Sequence, residues 1–275
     1  MIVPEFADVL VRALAEDLGT AGDVTTTATV APGTVATARL VSRQAGVVAG
    51  LPVAVAAFET VSNGRVRVEL ATSDGDRVDP RALLGSVHGP LTDILTAERT
   101  ALNFLGHLSG IATLTRRFVR SAHGGARIWD TRKTTPGLRA LEKYAVVCGG
   151  GVNHRMSLSD AALVKDNHVV AAGGVVPAFE RVRAKYPGLP IEIEVDTLAQ
   201  AREVIDAGAD LVLLDNMALD DMRAAVAHSA GRARLEASGG LSLGDARAVA
   251  QTGVDYLAVG ALTHSAPVLD IGLDV

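Results

Sequence analysis

Charged and small polar residues recur at the ends of apolar runs in the second half of this chain. Their types suit a multiply anionic substrate and a metal. The densest cluster is Asp130, Arg132, Lys133 and Thr135, followed by Pro136 and Gly137. Two adjacent cations at a strand end, with hydroxyls and a glycine turn, can hold carboxylate or phosphate oxygens. The same pair in an isolated loop would be solvated surface. His154 and Arg155 follow Gly149, Gly150 and Gly151, where the backbone can approach a ligand closely and two more donors are added. Lys165 precedes Asp166, Asn167 and His168. A lysine so placed is a Schiff-base nucleophile, a phosphate binder or half of a structural ion pair.

Glu194, Asp196 and Asp215 end two further runs. Carboxylates of this kind can hold Mg²⁺ beside substrate oxygens, stabilise a developing cation, or pair with the nearby lysines. No Cys or His lies at zinc-like spacing around them. Ser238, Gly239 and Gly240, then Gly260 and Ala261 with His264 close behind, resemble the glycine-rich phosphate sites of late barrel strands. Cys148 has no evident partner and reads as a small packed residue.

These residues need a scaffold that brings distant segments to one place. The runs begin at Ala126, Ala162, Ile191, Leu211, Arg234 and Tyr256. Continuous apolar runs are the signature of buried parallel strands, and in a β/α barrel the chemistry sits where such strands end. Ala-, Arg- and Val-rich segments of helical spacing separate them, at the length of a β/α unit. Six strands fall short of eight, so the expected barrel is irregular. Before it, Phe6 to Leu18 has one apolar helical face, Val35 to Leu95 alternates as half-buried strands do, and Thr96 to Ser121 reads as one long helix or two abutting ones. The pattern predicts an α/β fold, a barrel of β/α units after a distinct α+β region.

Hydrophobic residues make up 48% of the chain and aromatics only 3%, so the core must come from Val, Leu, Ile and Ala, as in parallel-sheet proteins. The net charge of -5 argues against a nucleic-acid surface driven by bulk charge, so cations that matter must be local. No apolar run approaches the roughly 18 residues of a membrane span. One cysteine and an N-terminus without a basic, then apolar, leader point to a cytoplasmic protein.

With those segments in view the sequence resembles the quinolinate phosphoribosyltransferase family over nearly its whole length. The segments that carry the likeness are E-D-L-G-T-A-G-D-V-T-T, E-R-T-A-L-N, D-T-R-K-T-T-P-G, G-G-G-V-N-H-R, L-V-K-D-N-H, E-V-D, L-L-D-N-M, E-A-S-G-G and V-G-A-L-T-H-S, in order. The resemblance implies an N-terminal α+β open-sandwich domain over residues 1–105, joined by 266–275, and an irregular, open, TIM-like α/β barrel domain over 106–265. It implies a Mg²⁺-dependent pentosyltransferase of de novo NAD biosynthesis. Quinolinate and phosphoribosyl pyrophosphate would give nicotinate mononucleotide, pyrophosphate and carbon dioxide. Arg99, Arg132, Lys133, His154 and Arg155 match positions around the quinolinate carboxylates, with Arg99 expected from a neighbouring copy. Lys165, Glu194 and Asp215 match positions facing ribose, pyrophosphate and Mg²⁺, and Ser238, Gly239, Gly260 and His264 match positions near the 5-phosphate. Lys133, Lys165, Glu194 and Asp215 are the expected catalytic set, and a homodimer or a hexamer built as a trimer of dimers is the expected assembly. A relative acting on another base or acid is the alternative. The crowd of cations favours a diacid.

Overall fold

A computed structural model describes residues 2–275 as two compact units, and each is taken separately. The first contains the chain up to Arg116, then Thr134–Gly150 and Leu262–Val275. Strands β1 (Val35–Ser42), β2 (Gly46–Val47), β3 (Arg67–Leu70), β4 (Arg77–Val78) and β5 (Leu83–Pro90) belong to it. The main sheet is antiparallel with β1 and β5 central and β3 on one edge. The other edge is the C-terminal strand Ile271–Asp274, which pairs with β1. Helix Ala7–Leu18 buries Leu10 and Leu14, one turn apart, and Gly19 at φ +54° closes it. The helix Leu91–Ala122 is continuous over 32 residues, with Ile94, Ala97, Ala101 and Leu105 buried in the same core as Leu40, Phe58 and Val87. No described helix is long and apolar enough to cross a membrane.

The C-terminal segment lies directly on that long helix. A Cβ built on Gly106 would meet Val268 Cγ1 at 2.8 Å, and one on Gly110 would collide with the Pro267 carbonyl oxygen. The amide of Leu269 donates to the Gly106 carbonyl at 3.0 Å. Helix propensity alone would make Gly110→Ala stabilising by about 1 kcal/mol. Because the obstacle is backbone, the expected result is the opposite sign, a loss of about 1–3 kcal/mol. Urea denaturation checks it: a midpoint at or above the native one would refute the close approach.

The second unit, Arg117–Lys133 and Gly151–Ala261, holds strands β6 (Arg127–Trp129), β7 (Ala162–Val164), β8 (Ile191–Val195), β9 (Leu211–Asp215), β10 (Arg234–Ser238) and β11 (Tyr256–Ala258). All six expected runs form strands, and they pair in parallel in the order β6-β11-β10-β9-β8-β7. Val152 adds an isolated parallel bridge to Trp129, outside the six. The chain's last strand, Ile271–Asp274, is β12.

One face of this sheet carries Ile128, Val164, Ile193, Val212, Leu214, Leu235, Ala237 and Leu257, all buried. The opposite face carries Glu192, Glu194, Asp215, Glu236, Ser238 and Tyr256 at the alternate positions. Glu192 on β8 and Glu236 on β10 approach one imidazole although β9 lies between them. The polar face is therefore concave, as in a barrel layer filled from alternate strands. Here that layer is acidic rather than aliphatic.

Candidate active site

The strand ends of the second unit gather most of the expected residues. β7 stops at Val164 and β8 at Val195, and the register places Lys165 beside Glu194. Lys165 Nζ lies 3.0 Å from Glu194 Oε2, with the lysine half exposed and Glu194 largely covered. The sequence left an ion pair as one reading of both residues, and that pair is present. Asp215 ends β9 in the same register row as Ser238 on β10. Its Oδ2 accepts from Asn216 Nδ2 at 2.7 Å.

Arg132, Arg155, Lys165 and His168 line an open cleft of about 1140 Å³. Burial first, and the neighbouring Arg132 second, weaken the hold of Arg155 on its proton. Two guanidiniums held this close repel each other, so the arrangement favours an anion between them. Arg132 Nε is buried without a hydrogen-bond partner. Arg155 Nη1 donates to the Ala161 carbonyl at 2.8 Å, at the end of a turn closed by Asp160. Partial desolvation would raise the Asp160 carboxyl, but the amides of Met156 and Ser157 and the Ser157 hydroxyl override it and bring it to about 2. Lys133 is exposed, with its amide donating to Thr131 Oγ1 at 3.0 Å.

His154 does not present its Nε2 as an open donor, as the sequence reading expected. Nε2 is 2.6 Å from Glu192 Oε2 and 3.5 Å from Glu236 Oε2. Trp129 packs edge-on against the ring at 4.9 Å and stacks on Tyr256 at 3.7 Å. Asp130, fully buried, accepts from the His154 amide at 2.9 Å, so this acid anchors the backbone. Glu192 and Glu236 were missed. Their signal was the alternation in I-E-I-E-V and R-L-E-A-S, which marks a polar inner face. His154, Glu192 and Glu236 bring ligand-type atoms within 4.8 Å of one another, and the contact they make is a hydrogen bond between Nε2 and Glu192.

Burial first, then Glu192, pushes the Glu236 carboxyl well above its ordinary range. The folded state thus keeps a proton that the unfolded chain loses at lower pH. Through that window the unfolded state binds fewer protons, so stability falls as pH rises above the model-peptide carboxyl value of 4.5. Glu236→Gln cannot ionise and is expected to flatten that slope. Urea midpoints at about pH 5 and about pH 8 measure it, and a variant with the native slope would contradict the assignment.

Gly239, at φ +101°, follows Ser238, and a Cβ there would collide with Asn216 Oδ1. Ser238, Gly239 and Asn216 line a small cavity of about 280 Å³ at the ends of β9 and β10. Gly260 lies just beyond β11. Two expected residues belong to the first unit. Arg99 is exposed on the helix Leu91–Ala122, and His264 is exposed, its Nδ1 2.7 Å from Ser265 Oγ. Also in that unit, the fully buried Glu142 binds His107 Nε2 at 2.9 Å and accepts from the Thr135 amide at 3.1 Å. Cys148 is packed there, and burial, then Asp74, pushes its thiol up to about 11, as expected of an inert residue.

For a divalent ion, Glu194 and Asp215 offer hard carboxylate oxygens on adjacent strands, the donor chemistry that Mg²⁺ takes.

Comparison with known proteins places the chain in a family. Residues 23–109 match the quinolinate phosphoribosyl transferase N-terminal domain, and residues 111–274 match its C-terminal domain. The nicotinate-nucleotide pyrophosphorylase [carboxylating] of Mycobacterium leprae is 51% identical over 273 residues, 98% of this chain and 96% of that protein. The crystal structure of NadC from Streptococcus pyogenes superposes with a TM-score of 0.94 at 40% identity, over 98% of this chain and 95% of that one. That of the nicotinate-nucleotide pyrophosphorylase from Ehrlichia chaffeensis gives 0.95 at 38% identity, over 99% of both. This chain belongs to the quinolinate phosphoribosyltransferase family.

Proposed function

We infer that this protein transfers phosphoribose from phosphoribosyl pyrophosphate to quinolinate with loss of carbon dioxide, forming nicotinate mononucleotide and pyrophosphate for de novo NAD synthesis. The observation that carries the reading is the division of charge in the second unit. Arg132 and Arg155 face one cleft with Lys165, while Glu194 and Asp215 stand at the ends of β8 and β9. A diacid fits the cations, and a ribose that gains positive charge fits the acids.

Arg132 and Arg155 grip the two carboxylates and aim the pyridine nitrogen at the anomeric carbon, with His154 and Lys133 beside them. Holding both reactants replaces a bimolecular encounter with a positioned one. As the bond from anomeric carbon to pyrophosphate oxygen breaks, Glu194 and Asp215 lie where the sugar's positive charge grows. Lys165, released from Glu194, offsets charge on the departing oxygens. Ser238, Gly239 and Gly260 hold the 5-phosphate. Glu194 and Asp215 would also hold Mg²⁺, which supplies charge neutralisation for the pyrophosphate. Loss of the adjacent carboxylate as carbon dioxide leaves its electron pair on the ring carbon, where the positive ring nitrogen stabilises it until that carbon takes a proton, so no organic cofactor is required.

The site is completed by Arg99 from a neighbouring copy of the chain, in a homodimer or a trimer of dimers located in the cytoplasm. The test is product formation from quinolinate, phosphoribosyl pyrophosphate and Mg²⁺. Equal carbon dioxide and mononucleotide are expected, and absence of both would overturn the reading.

A further inference from the structure

Two buried carboxylates inside the barrel have no part in the reaction as outlined, and both converge on His154. Glu192 is 2% exposed and Glu236 1%, and each keeps one oxygen without a hydrogen-bond partner. Burying a carboxylate costs several kcal/mol unless its partners compensate. An aliphatic residue at this position of β8 would avoid that cost and fill the layer as barrels usually do. What the carboxylate adds is control of one ring. The 2.6 Å contact between His154 Nε2 and Glu192 Oε2 holds the ring in one orientation. Trp129 blocks rotation from the side and Asp130 fixes the backbone. Glu192 also acts electrostatically on Arg155, the next residue.

We propose that Glu192 is a positioning residue that acts through His154, locking the imidazole so that the His154–Arg155 pair meets the second carboxylate of the diacid in a fixed geometry. The proposal rests on the quinolinate pocket described under Proposed function. A preformed donor set spares the ligand the ordering cost of a mobile ring. The effect belongs to the diacid, because Glu192 acts through His154, whereas phosphoribosyl pyrophosphate is met by Lys165, Glu194 and Asp215.

Calorimetric titration with quinolinate, and separately with phosphoribosyl pyrophosphate and Mg²⁺, tests it on the full-length protein. Glu192→Ala is expected to raise the quinolinate Kd about tenfold or more and to leave the phosphoribosyl pyrophosphate Kd within about twofold. Glu192→Gln keeps an acceptor and is expected to recover most of the loss, and it serves if the alanine variant fails to fold. In a His154→Ala background, Glu192→Ala is expected to add less than about twofold, because the partner is already gone. Native quinolinate affinity in Glu192→Ala, an equal loss of both ligands, or a full additional loss in the double variant would each overturn the proposal. Arg132→Ala in the same series separates the two levels. If it binds quinolinate normally, the pocket itself is wrong. If it fails to bind while Glu192→Ala binds normally, only the positioning role falls.

Discussion

Arg132→Ala loses quinolinate binding by at least about a hundredfold while affinity for phosphoribosyl pyrophosphate stays within about threefold: that is the expected result of the largest single change at the site. The guanidinium can donate two parallel hydrogen bonds to one carboxylate, each charge-assisted bond being worth about 1.5–3 kcal/mol. Arg155 cannot replace it, because burial and then the nearby Arg132 already weaken its hold on its proton, and it is committed in part to Ala161. Lysine at position 132 keeps the charge but not the fork, so Arg132→Lys is expected to fall between alanine and native. The residues proposed for the second substrate lie at the ends of β8, β9 and β10, which the substitution leaves alone. Calorimetry with each ligand decides it, and unchanged quinolinate affinity in the alanine variant would refute the pocket.

The second large effect is expected at the acids. Asp215→Asn keeps the shape and removes the charge. Asp215 ends β9 beside Ser238 and is only partly covered, so folding should survive the change. Turnover is expected to fall by about 100- to 1000-fold, the scale found when one group stabilising transition-state charge is removed. The Mg²⁺ concentration needed for half-maximal rate is expected to rise. The check is a Mg²⁺ titration of initial rate at saturating substrates. A native rate with a native Mg²⁺ curve would mean that Asp215 neither faces the sugar nor helps to hold the ion.

Some of this organisation could be read directly from the chain. The six strands were visible because a parallel strand buried on its outer face repeats Val, Leu, Ile and Ala without interruption, as in L-V-L-L at 211–214. Their ends were visible because charge begins where burial stops. The inner acids were harder to see. Glu192 and Glu236 lie inside the runs, and only the period of two in I-E-I-E-V sets one face apart. That His154 would turn to them depends on β8 and β10 curving toward each other, which no local pattern encodes. The long helix stayed ambiguous at Gly106 and Gly110, since glycine usually weakens a helix. The reason for both lies more than 150 positions away, in the close approach of Pro267 to Leu269. Strand β3 begins at Arg67, and just before it Arg65 pairs bidentately with Asp93 through two contacts of 3.0 Å. The D-T-R-K-T-T-P-G loop reads as one cluster, yet Lys133 and Thr134 fall in different units, and buried Glu142 captures the Thr135 amide.

The central claim is that a diacid is bound and loses one carboxylate as the phosphoribosyl bond forms. The most direct measurement follows carbon dioxide and mononucleotide together, with quinolinate or nicotinate offered separately beside phosphoribosyl pyrophosphate and Mg²⁺. The expected result is carbon dioxide and nicotinate mononucleotide in equal amounts from quinolinate, and negligible product from nicotinate. Mononucleotide formed readily from nicotinate, with none from quinolinate, would contradict it.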